Sequence, residues 1–320
     1  MRSRIWRHAL PLLAVLLASP ALAEEKEPCW EQGFSCANLV YQGYTYPYPR
    51  ESGSYLYANG GIYPYEKVTD NLTSDSTVRL PDGRVIEVKK LLKALGLEAK
   101  TNRNLVPVIG YGSNASPEQI SRKLRTAQFR SGAVVPVMKG TLKDFDVTWT
   151  PVFVSYGTMP ATLTPSPGTV VDIWVTWLDE EAVKLFDASE YSNPSGRPLY
   201  ATARIKAGFA FDGPDPDAID VFISCFGPLT IDGRTFALSA VPAEGRKFEA
   251  ITSPEAVRAI MPKIGWDGDV LDLIYDNVIS KKNRAARSTA LKAYGALPDI
   301  PRAEGLDACK QSWEGAERPY

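Results

Sequence analysis

The stretch best suited to chemistry is a glycine-containing loop at residues 110–114, with the sequence Gly-Tyr-Gly-Ser-Asn. It follows the apolar run 105–109, which has the length of a buried strand, and it precedes Ser116 and Pro117, a pair typical of a helix start. A loop between a strand and a helix directs backbone N–H groups towards one point, which suits a carboxylate or a developing oxyanion. The same pattern also fits an ordinary strand-to-helix turn, because a short glycine motif is weakly specific.

The N-terminal segment limits the catalytic mechanisms open to the mature protein, because it contains the only histidine. Residues 1–23 contain three arginines, an apolar run and then Ala21-Leu22-Ala23, the small-x-small pattern of a signal-peptide cleavage site. We therefore expect an exported protein, periplasmic or secreted, that loses His8, the only histidine. Without histidine, Ser-His-Asp and Cys-His mechanisms and His-containing zinc motifs are excluded, and we expect neither a metal nor a cofactor. The proton carrier must then be a carboxylate, Lys, Tyr or Cys, and a carboxylate is the commonest of these.

Glu190 differs in position from Glu180 and Glu181, which lie in the first turn of a predicted helix. It follows a predicted helix that Asp179 caps and that carries apolar residues at helical spacing, and it precedes a turn-rich stretch. A carboxylate at the end of a helix gains nothing from the helix dipole. Glu190 is therefore a candidate for proton transfer. The alternative is an ordinary surface acid, which is what most glutamates are.

Three sequence blocks occur in the order found in a known enzyme family. They are Tyr111-Gly112-Ser113-Asn114, residues 160–168 with the strand that follows them, and Phe186-Asp187-Ala188-Ser189-Glu190. Together these blocks resemble the gamma-glutamylcyclotransferase-like superfamily over roughly residues 105–245. On this resemblance the chain is identified as an exported bacterial member.

The resemblance implies a fold, a reaction and a set of site residues. The fold would be a mixed, barrel-like β-sheet with flanking helices, and the enzyme would release 5-oxoproline and a free amine or amino acid from a small gamma-glutamyl substrate. Glu190 would act as general acid and base. The substrate would be bound by Gly110, Tyr111, Gly112, Ser113, Asn114 and Tyr200. One departure is Tyr191, where many relatives carry glycine, followed by a longer loop to residue 198.

Two other functions stay open, because one fold hosts several chemistries. The first is a non-catalytic binding or envelope-interaction protein, which would keep the pocket and tolerate Glu190→Gln. The second is a related lyase or acyltransferase that acts on gamma-glutamyl groups of cell-wall peptides or amines. The discriminating residue is Glu190, which an enzyme requires and a binding protein does not.

Charge and hydropathy restrict the class of partner. The formal net charge of −1 becomes −4 when residues 1–23 are removed, because that segment holds three arginines and no acids. A mildly acidic chain argues against nucleic acid as the partner. No stretch after the signal peptide approaches the roughly 20 apolar residues of a transmembrane helix, so we expect no transmembrane anchor.

Four cysteines remain after export, and they allow two disulfides with three pairings. Cys29 and Cys36 are the nearest pair in sequence, which would leave Cys225 with Cys309. Cys225 also lies inside an apolar run, so an inert buried thiol is the alternative.

The sequence divides into four segments: the signal peptide 1–23, a Tyr/Gly/Pro-rich N-terminal extension 24–104, a core 105–250 and a helical C-terminal extension 251–320. The tyrosines of the N-terminal extension would form an aromatic surface for glycan strands or pack their rings on the core.

The turn Asp232-Gly233 predicts a hairpin between 220–226 and 235–241. Core strands are expected at 133–142, 145–150, 170–178, 199–205 and 220–226, and with the flanking helices they fit the α+β fold that the resemblance implies.

Overall fold

The computed structural model describes residues 29, 34–99, 104–125, 133–191, 198–296, 300, 303–307 and 309; the predicted signal peptide lies outside them. The helices are α1 (Cys36–Tyr44), α2 (Val88–Ala94), α3 (Pro117–Arg125), α4 (Glu180–Tyr191), α5 (Ser253–Ile260), α6 (Val270–Ile279) and α7 (Lys281–Leu291). The strands are β1 (Tyr55–Ala58), β2 (Gly61–Lys67), β3 (Thr77–Arg79), β4 (Val85–Glu87), β5 (Val106–Gly110), β6 (Val134–Trp149), β7 (Ala161–Leu178), β8 (Tyr200–Ile205), β9 (Phe209–Phe211), β10 (Ile219–Ser224), β11 (Thr230–Ile231), β12 (Arg234–Leu238), β13 (Ala243–Glu244), β14 (Glu249–Ile251) and β15 (Ala303–Glu304).

The sheet is organised around the antiparallel pair β6 and β7. Strand β5 pairs antiparallel with β7 and parallel with β10, so the sheet is mixed. The order along the main path is β15-β8-β10-β5-β7-β6-β1-β2-β3-β4. Among the described strands this path does not close on itself. The predicted α+β class, with a large mixed sheet and helices, is confirmed at that level.

Strands β6 and β7 are longer than the sequence predicts. Residues 133–142 and 145–150 were expected as two strands, but β6 is continuous and carries a bulge at Asp144, where φ is 68°. Strand β7 begins before the predicted residue 170 and includes prolines that argue against a strand interior. The two irregularities meet, because the Asp144 carboxylate accepts a hydrogen bond from the Gly168 N–H at 2.8 Å. The bulge therefore lets both strands bend together and stay paired.

The predicted pairing of residues 220–226 with residues 235–241 in one hairpin is wrong. Strand β12 pairs across the Asp232-Gly233 turn with the two-residue strand β11. It also pairs with β14 and β6, whereas β10 pairs with β5 and β8. The turn chemistry was correct, since Asp232 and Gly233 both have positive φ. The pairing of distant strands is not encoded in a local pattern.

The helix starts around the site follow their capping residues. The Ile120 N–H donates to the Ser116 carbonyl one turn into α3, at 3.0 Å. At the start of α4 the Asp179 carboxylate accepts the Ala182 N–H at 2.8 Å. Among the described residues, no helix has the length and apolar character needed to cross a membrane.

The N-terminal extension contributes both to the sheet and to the core. Strand β1 pairs with β6 and carries the buried residues Tyr55 and Tyr57. Tyr46 and Tyr48 are also buried, and the two rings contact each other edge to face at 5.9 Å. The packing interpretation is confirmed for these four tyrosines. Tyr41 on α1 is instead exposed.

Both disulfides form the pairing that nearest-neighbour spacing favours. Cys29 bonds Cys36 and Cys225 bonds Cys309, so the buried-thiol alternative for Cys225 is wrong. The first bond spans 7 residues and the second spans 84, a segment that includes α5, α6 and α7.

Removing the long-range disulfide is expected to cost more stability than removing the short one. The loop-entropy relation gives about 5 kcal/mol for the Cys225–Cys309 loop and about 2 kcal/mol for the Cys29–Cys36 loop. The measurement is urea unfolding of the double variants Cys225→Ala/Cys309→Ala and Cys29→Ala/Cys36→Ala. Equal losses in the two variants would contradict this expectation.

Candidate active site

A cavity of about 340 Å³ lies at the end of β5, between α3, the end of α4 and α7. This volume falls within the range of about 300–1,000 Å³ that is usual for small-molecule sites. The cavity brings together six of the seven site residues predicted from the sequence: Tyr111, Gly112, Ser113, Asn114, Glu190 and Tyr200.

Gly110 is the predicted binding residue that does not line the cavity. It ends β5 and lies beneath the 3-10 turn Ser113–Ala115. A Cβ atom on Gly110 would lie 3.0 Å from the Ala115 backbone nitrogen. Its role in the structure is therefore to let the turn pack closely on the strand.

Glu190 lies inside the last turn of α4, not beyond the helix as the sequence pattern indicated. Its Oε1 accepts a hydrogen bond from Asn114 Nδ2 at 3.0 Å and from Lys123 Nζ at 2.6 Å. Both donors contact the same oxygen, so among the described residues Oε2 has no hydrogen-bond partner. The Glu190 side chain is 16% exposed and lines the cavity. One oxygen therefore fixes the carboxylate while the other stays available to a ligand.

Lys123 is a site residue that the sequence analysis missed. Its side chain is only 4% exposed, and its ammonium lies 4.5 Å from the centre of the Phe186 ring. Burial lowers the pKa of Lys123, while the nearby Glu190 carboxylate acts in the opposite direction. A signal was available, because Lys123 comes three residues after the apolar Ile120, and residues at this spacing lie on the same face of a helix.

Tyr46, from the N-terminal extension, is a second residue that sequence reasoning missed. Its hydroxyl accepts a hydrogen bond from the Ala161 N–H at 3.0 Å, and the Ser113 backbone also interacts with it. Burial raises the pKa of Tyr46 to about 12, so the hydroxyl is neutral at ordinary pH. The ring stacks on Tyr156, with centroids 5.5 Å apart. The N-terminal extension thus completes one wall of the cavity.

Two further tyrosines fix the cavity walls through backbone carbonyls. The Tyr111 hydroxyl donates to the Phe222 carbonyl, and the Tyr200 hydroxyl donates to the Ala161 carbonyl at 2.6 Å. Burial raises the pKa of both hydroxyls well above the usual value of tyrosine. Both residues therefore act as neutral, fixed walls.

The glycine loop uses its small residues for close approach. Gly112 has φ −103°, outside the left-handed region. A Cβ atom on Gly112 would lie 2.6 Å from the Tyr46 hydroxyl oxygen. Among the described residues, the backbone N–H groups of Gly112 and Asn114 have no hydrogen-bond partner, although both residues line the cavity. The loop can therefore offer two donors to an anionic group.

Substituting alanine for Gly112 is expected to destabilise the fold by about 1–3 kcal/mol, because the added methyl forces the Tyr46 hydroxyl away from Ala161. Gly53→Ala is the matched control, since a Cβ at Gly53 meets nothing within 4 Å. Urea unfolding of both variants checks the difference. A Gly112→Ala variant as stable as the control would contradict the close contact.

The arrangement combines a carboxylate held by an ammonium and an amide, two unpartnered backbone donors and a cavity of ligand size. Such a set can position an acyl group, stabilise an oxyanion and transfer a proton. Residues 192–197 of the longer loop lie outside the described residues. No protein-family model matches the chain, and no curated protein matches it in sequence.

Proposed function

We propose that the protein is a gamma-glutamylcyclotransferase-like enzyme that releases 5-oxoproline and a free amine or amino acid from a gamma-glutamyl compound. The proposal includes the barrel-like fold of that superfamily. The observation that carries it is the cavity that gathers the Tyr111-Gly112-Ser113-Asn114 loop with Glu190, although 76 residues separate Asn114 from Glu190.

The reaction would be an intramolecular aminolysis. The substrate's α-amine nitrogen attacks its own γ-carbonyl carbon, a C–N bond forms in a five-membered ring, and the amide bond to the leaving amine breaks. The proton lost by the attacking amine passes to Glu190 and from there to the leaving amine, so charge and atoms balance. Holding both groups in one cavity removes much of the entropic barrier.

Each protein group has a defined part in this scheme. Glu190 Oε2 would accept and return the proton, because Oε1 is occupied by Asn114 and Lys123. The N–H groups of Gly112 and Asn114 would stabilise the oxyanion that develops on the γ-carbonyl oxygen. Tyr46, Tyr111 and Tyr200 would keep the walls apolar and fixed while their hydroxyls are engaged with backbone groups.

The proposed setting is an oxidising compartment outside the cytoplasm. Two disulfides suit such a compartment. The pattern of residues 1–23 is that of an export signal.

A binding protein on the same fold is the second candidate. The ion pair between Lys123 and Glu190 favours it, because a largely buried ion pair at 2.6 Å is also an ordinary structural contact. Such a protein would bind gamma-glutamyl compounds without converting them.

The test is product analysis with a panel of gamma-glutamyl amino acids, gamma-glutamyl amines and glutathione. Formation of 5-oxoproline with at least one compound is the expected result. Transfer of the gamma-glutamyl group to an added amine would indicate an acyltransferase instead. Binding without any product, in folded and fully oxidised protein, would leave only the binding protein.

A further inference from the structure

The charged side chains that line the cavity are unequally divided by sign. They comprise one carboxylate, Glu190, and the five cations Arg122, Lys123, Lys281, Arg284 and Lys292. The whole chain carries a formal net charge of −1, so this excess of positive charge is local. Because Lys123 pairs with Glu190, the cavity's own carboxylate does not neutralise Arg122, Lys281 and Arg284.

The two arginines contact an aromatic ring and a backbone carbonyl at the cavity. Arg122 lies beside Lys123 on α3, with its guanidinium 5.7 Å from the centre of the Phe34 ring. Its Nε is buried and has no hydrogen-bond partner in the part of the chain that the structure describes. Arg284 on α7 donates to the Asn277 carbonyl, and burial lowers its pKa. Among the described residues neither arginine forms an ion pair.

A buried acceptor in the same cavity also lacks a partner. The Oε1 atom of Gln119 is buried, and within the described ranges it has no hydrogen-bond donor, although the residue is only 4% exposed. The Oδ1 atom of Asn114 is also buried, and it too lacks a hydrogen-bond donor among the described residues. Unpaired buried polar groups are costly, so these two acceptors favour a ligand that brings N–H groups.

Arg284, Lys281 and Lys292 come from the helical C-terminal extension. They lie beyond residues 105–245, over which the chain resembles the cyclotransferase-like superfamily. The cationic wall is therefore an addition to the region that supplies the glycine loop and Glu190.

We propose that Arg122 and Arg284, with Lys281, form an anion subsite for the leaving-group side of the substrate. This inference rests on the proposed function, and it assigns the substrate class: gamma-glutamyl compounds whose leaving amine carries two carboxylates. One member of this class is gamma-glutamyl-glutamate. Its peptide and amine N–H groups match the unpaired acceptors of Gln119 and Asn114, and its two distal carboxylates match the cations.

The test compares gamma-glutamyl-glutamate with gamma-glutamyl-glutamine, which replaces one distal carboxylate by a neutral amide of the same shape. Wild-type protein is expected to show kcat/KM at least about tenfold higher for the dianionic leaving group, because a hydrogen bond to a charged group is stronger than one to a neutral amide. Arg284→Gln is expected to lower kcat/KM for gamma-glutamyl-glutamate by about ten- to a hundredfold and to lower kcat/KM for gamma-glutamyl-glutamine by less, so that the preference for the dianionic leaving group is reduced.

Controls separate charge from folding. Lys282→Gln on the same helix is the matched variant, since Lys282 is exposed and does not line the cavity. Arg122→Gln provides a second variant on another helix, in case Arg284→Gln fails to fold. Equal kcat/KM for the two dipeptides in wild-type protein, or equal effects of Arg284→Gln and Lys282→Gln, would overturn the subsite.

A binding measurement separates this inference from the proposed reaction. Calorimetry with Glu190→Gln and both dipeptides needs no turnover. Tighter binding of gamma-glutamyl-glutamate that is lost on adding Arg284→Gln supports the subsite even if wild-type protein forms no 5-oxoproline. Turnover of both dipeptides without any preference retains the proposed function and overturns the subsite.

Discussion

Replacing Glu190 by glutamine is expected to lower kcat for 5-oxoproline release by at least about a hundredfold, the low end of what general acid–base catalysis supplies. Glutamine keeps the shape of the side chain and an oxygen for the Asn114 amide, but it neither accepts nor returns the proton. The measurement is steady-state kinetics with the best gamma-glutamyl compound of the panel.

The control for this variant lies on the same helix. Glu181→Gln changes an exposed acid in the first turn of α4, and we expect its kcat to equal that of wild-type protein. Circular dichroism and urea unfolding establish that both variants are folded. A folded Glu190→Gln variant with wild-type kcat would remove Glu190 from the reaction.

Lys123→Met is expected to destabilise the protein and to reduce turnover, whereas Lys184→Met is expected to do neither. Both lysines contact a glutamate on α4 at 2.6 Å, but the side chains of the Lys123–Glu190 pair are 4% and 16% exposed, against 71% and 86% for Lys184–Glu180. Removing Lys123 leaves the Glu190 carboxylate without its cation in a largely buried position, which costs up to about 3 kcal/mol. The exposed pair is screened by water.

Urea unfolding and steady-state kinetics of the two methionine variants test this comparison. Lys123→Met should show the lower midpoint and the lower kcat. Equal midpoints for the two variants would mean that burial adds nothing to the Lys123–Glu190 pair.

The buried lysine also predicts a pH dependence. Because burial lowers its pKa, Lys123 loses its proton in the folded protein at a lower pH than an exposed lysine does. Turnover should therefore fall on the alkaline side, as the charge that holds Glu190 is lost. The free energy of unfolding should instead rise with pH. Between the lowered pKa of folded Lys123 and the ordinary pKa of lysine, unfolding takes up a proton, so the folded state gains stability as the pH increases.

Lys123→Arg is the diagnostic variant for that alkaline limb. A guanidinium stays charged throughout the accessible range, so the limb should shift upward or vanish in the pH–rate profile. An unchanged limb in a folded variant would assign the titration to another group.

Local patterns predicted the elements of the fold better than their partners. Capping by Asp179 and the start of α3 after Ser116 were evident because caps depend on neighbouring residues. The continuity of β6 and β7 was not evident from the sequence, because it depends on a contact between Asp144 and Gly168 across two strands. The partner of β12 was missed for the same reason, because pairing is set by tertiary packing.

The candidate site also contains residues that local motifs predicted and residues that only the tertiary structure reveals. The glycine loop and Glu190 were found from short motifs, and the structure brings them into one cavity. Tyr46 was missed because it belongs to a tyrosine-rich segment in which many rings look alike. The cations of α7 were missed because a helix carrying several Lys and Arg residues has the pattern of a solvated surface, and only the tertiary fold turns that face towards the cavity.

The central claim is that the substrate's own amine is the nucleophile, and isotope labelling tests it most directly. The wild-type protein, folded and fully oxidised, is incubated with gamma-glutamyl-glutamate in water enriched in ¹⁸O, and the products are identified by mass spectrometry. The expected result is 5-oxoproline without ¹⁸O, because water takes no part in ring closure. Glutamate carrying ¹⁸O in its γ-carboxylate would show hydrolysis and contradict the proposed reaction.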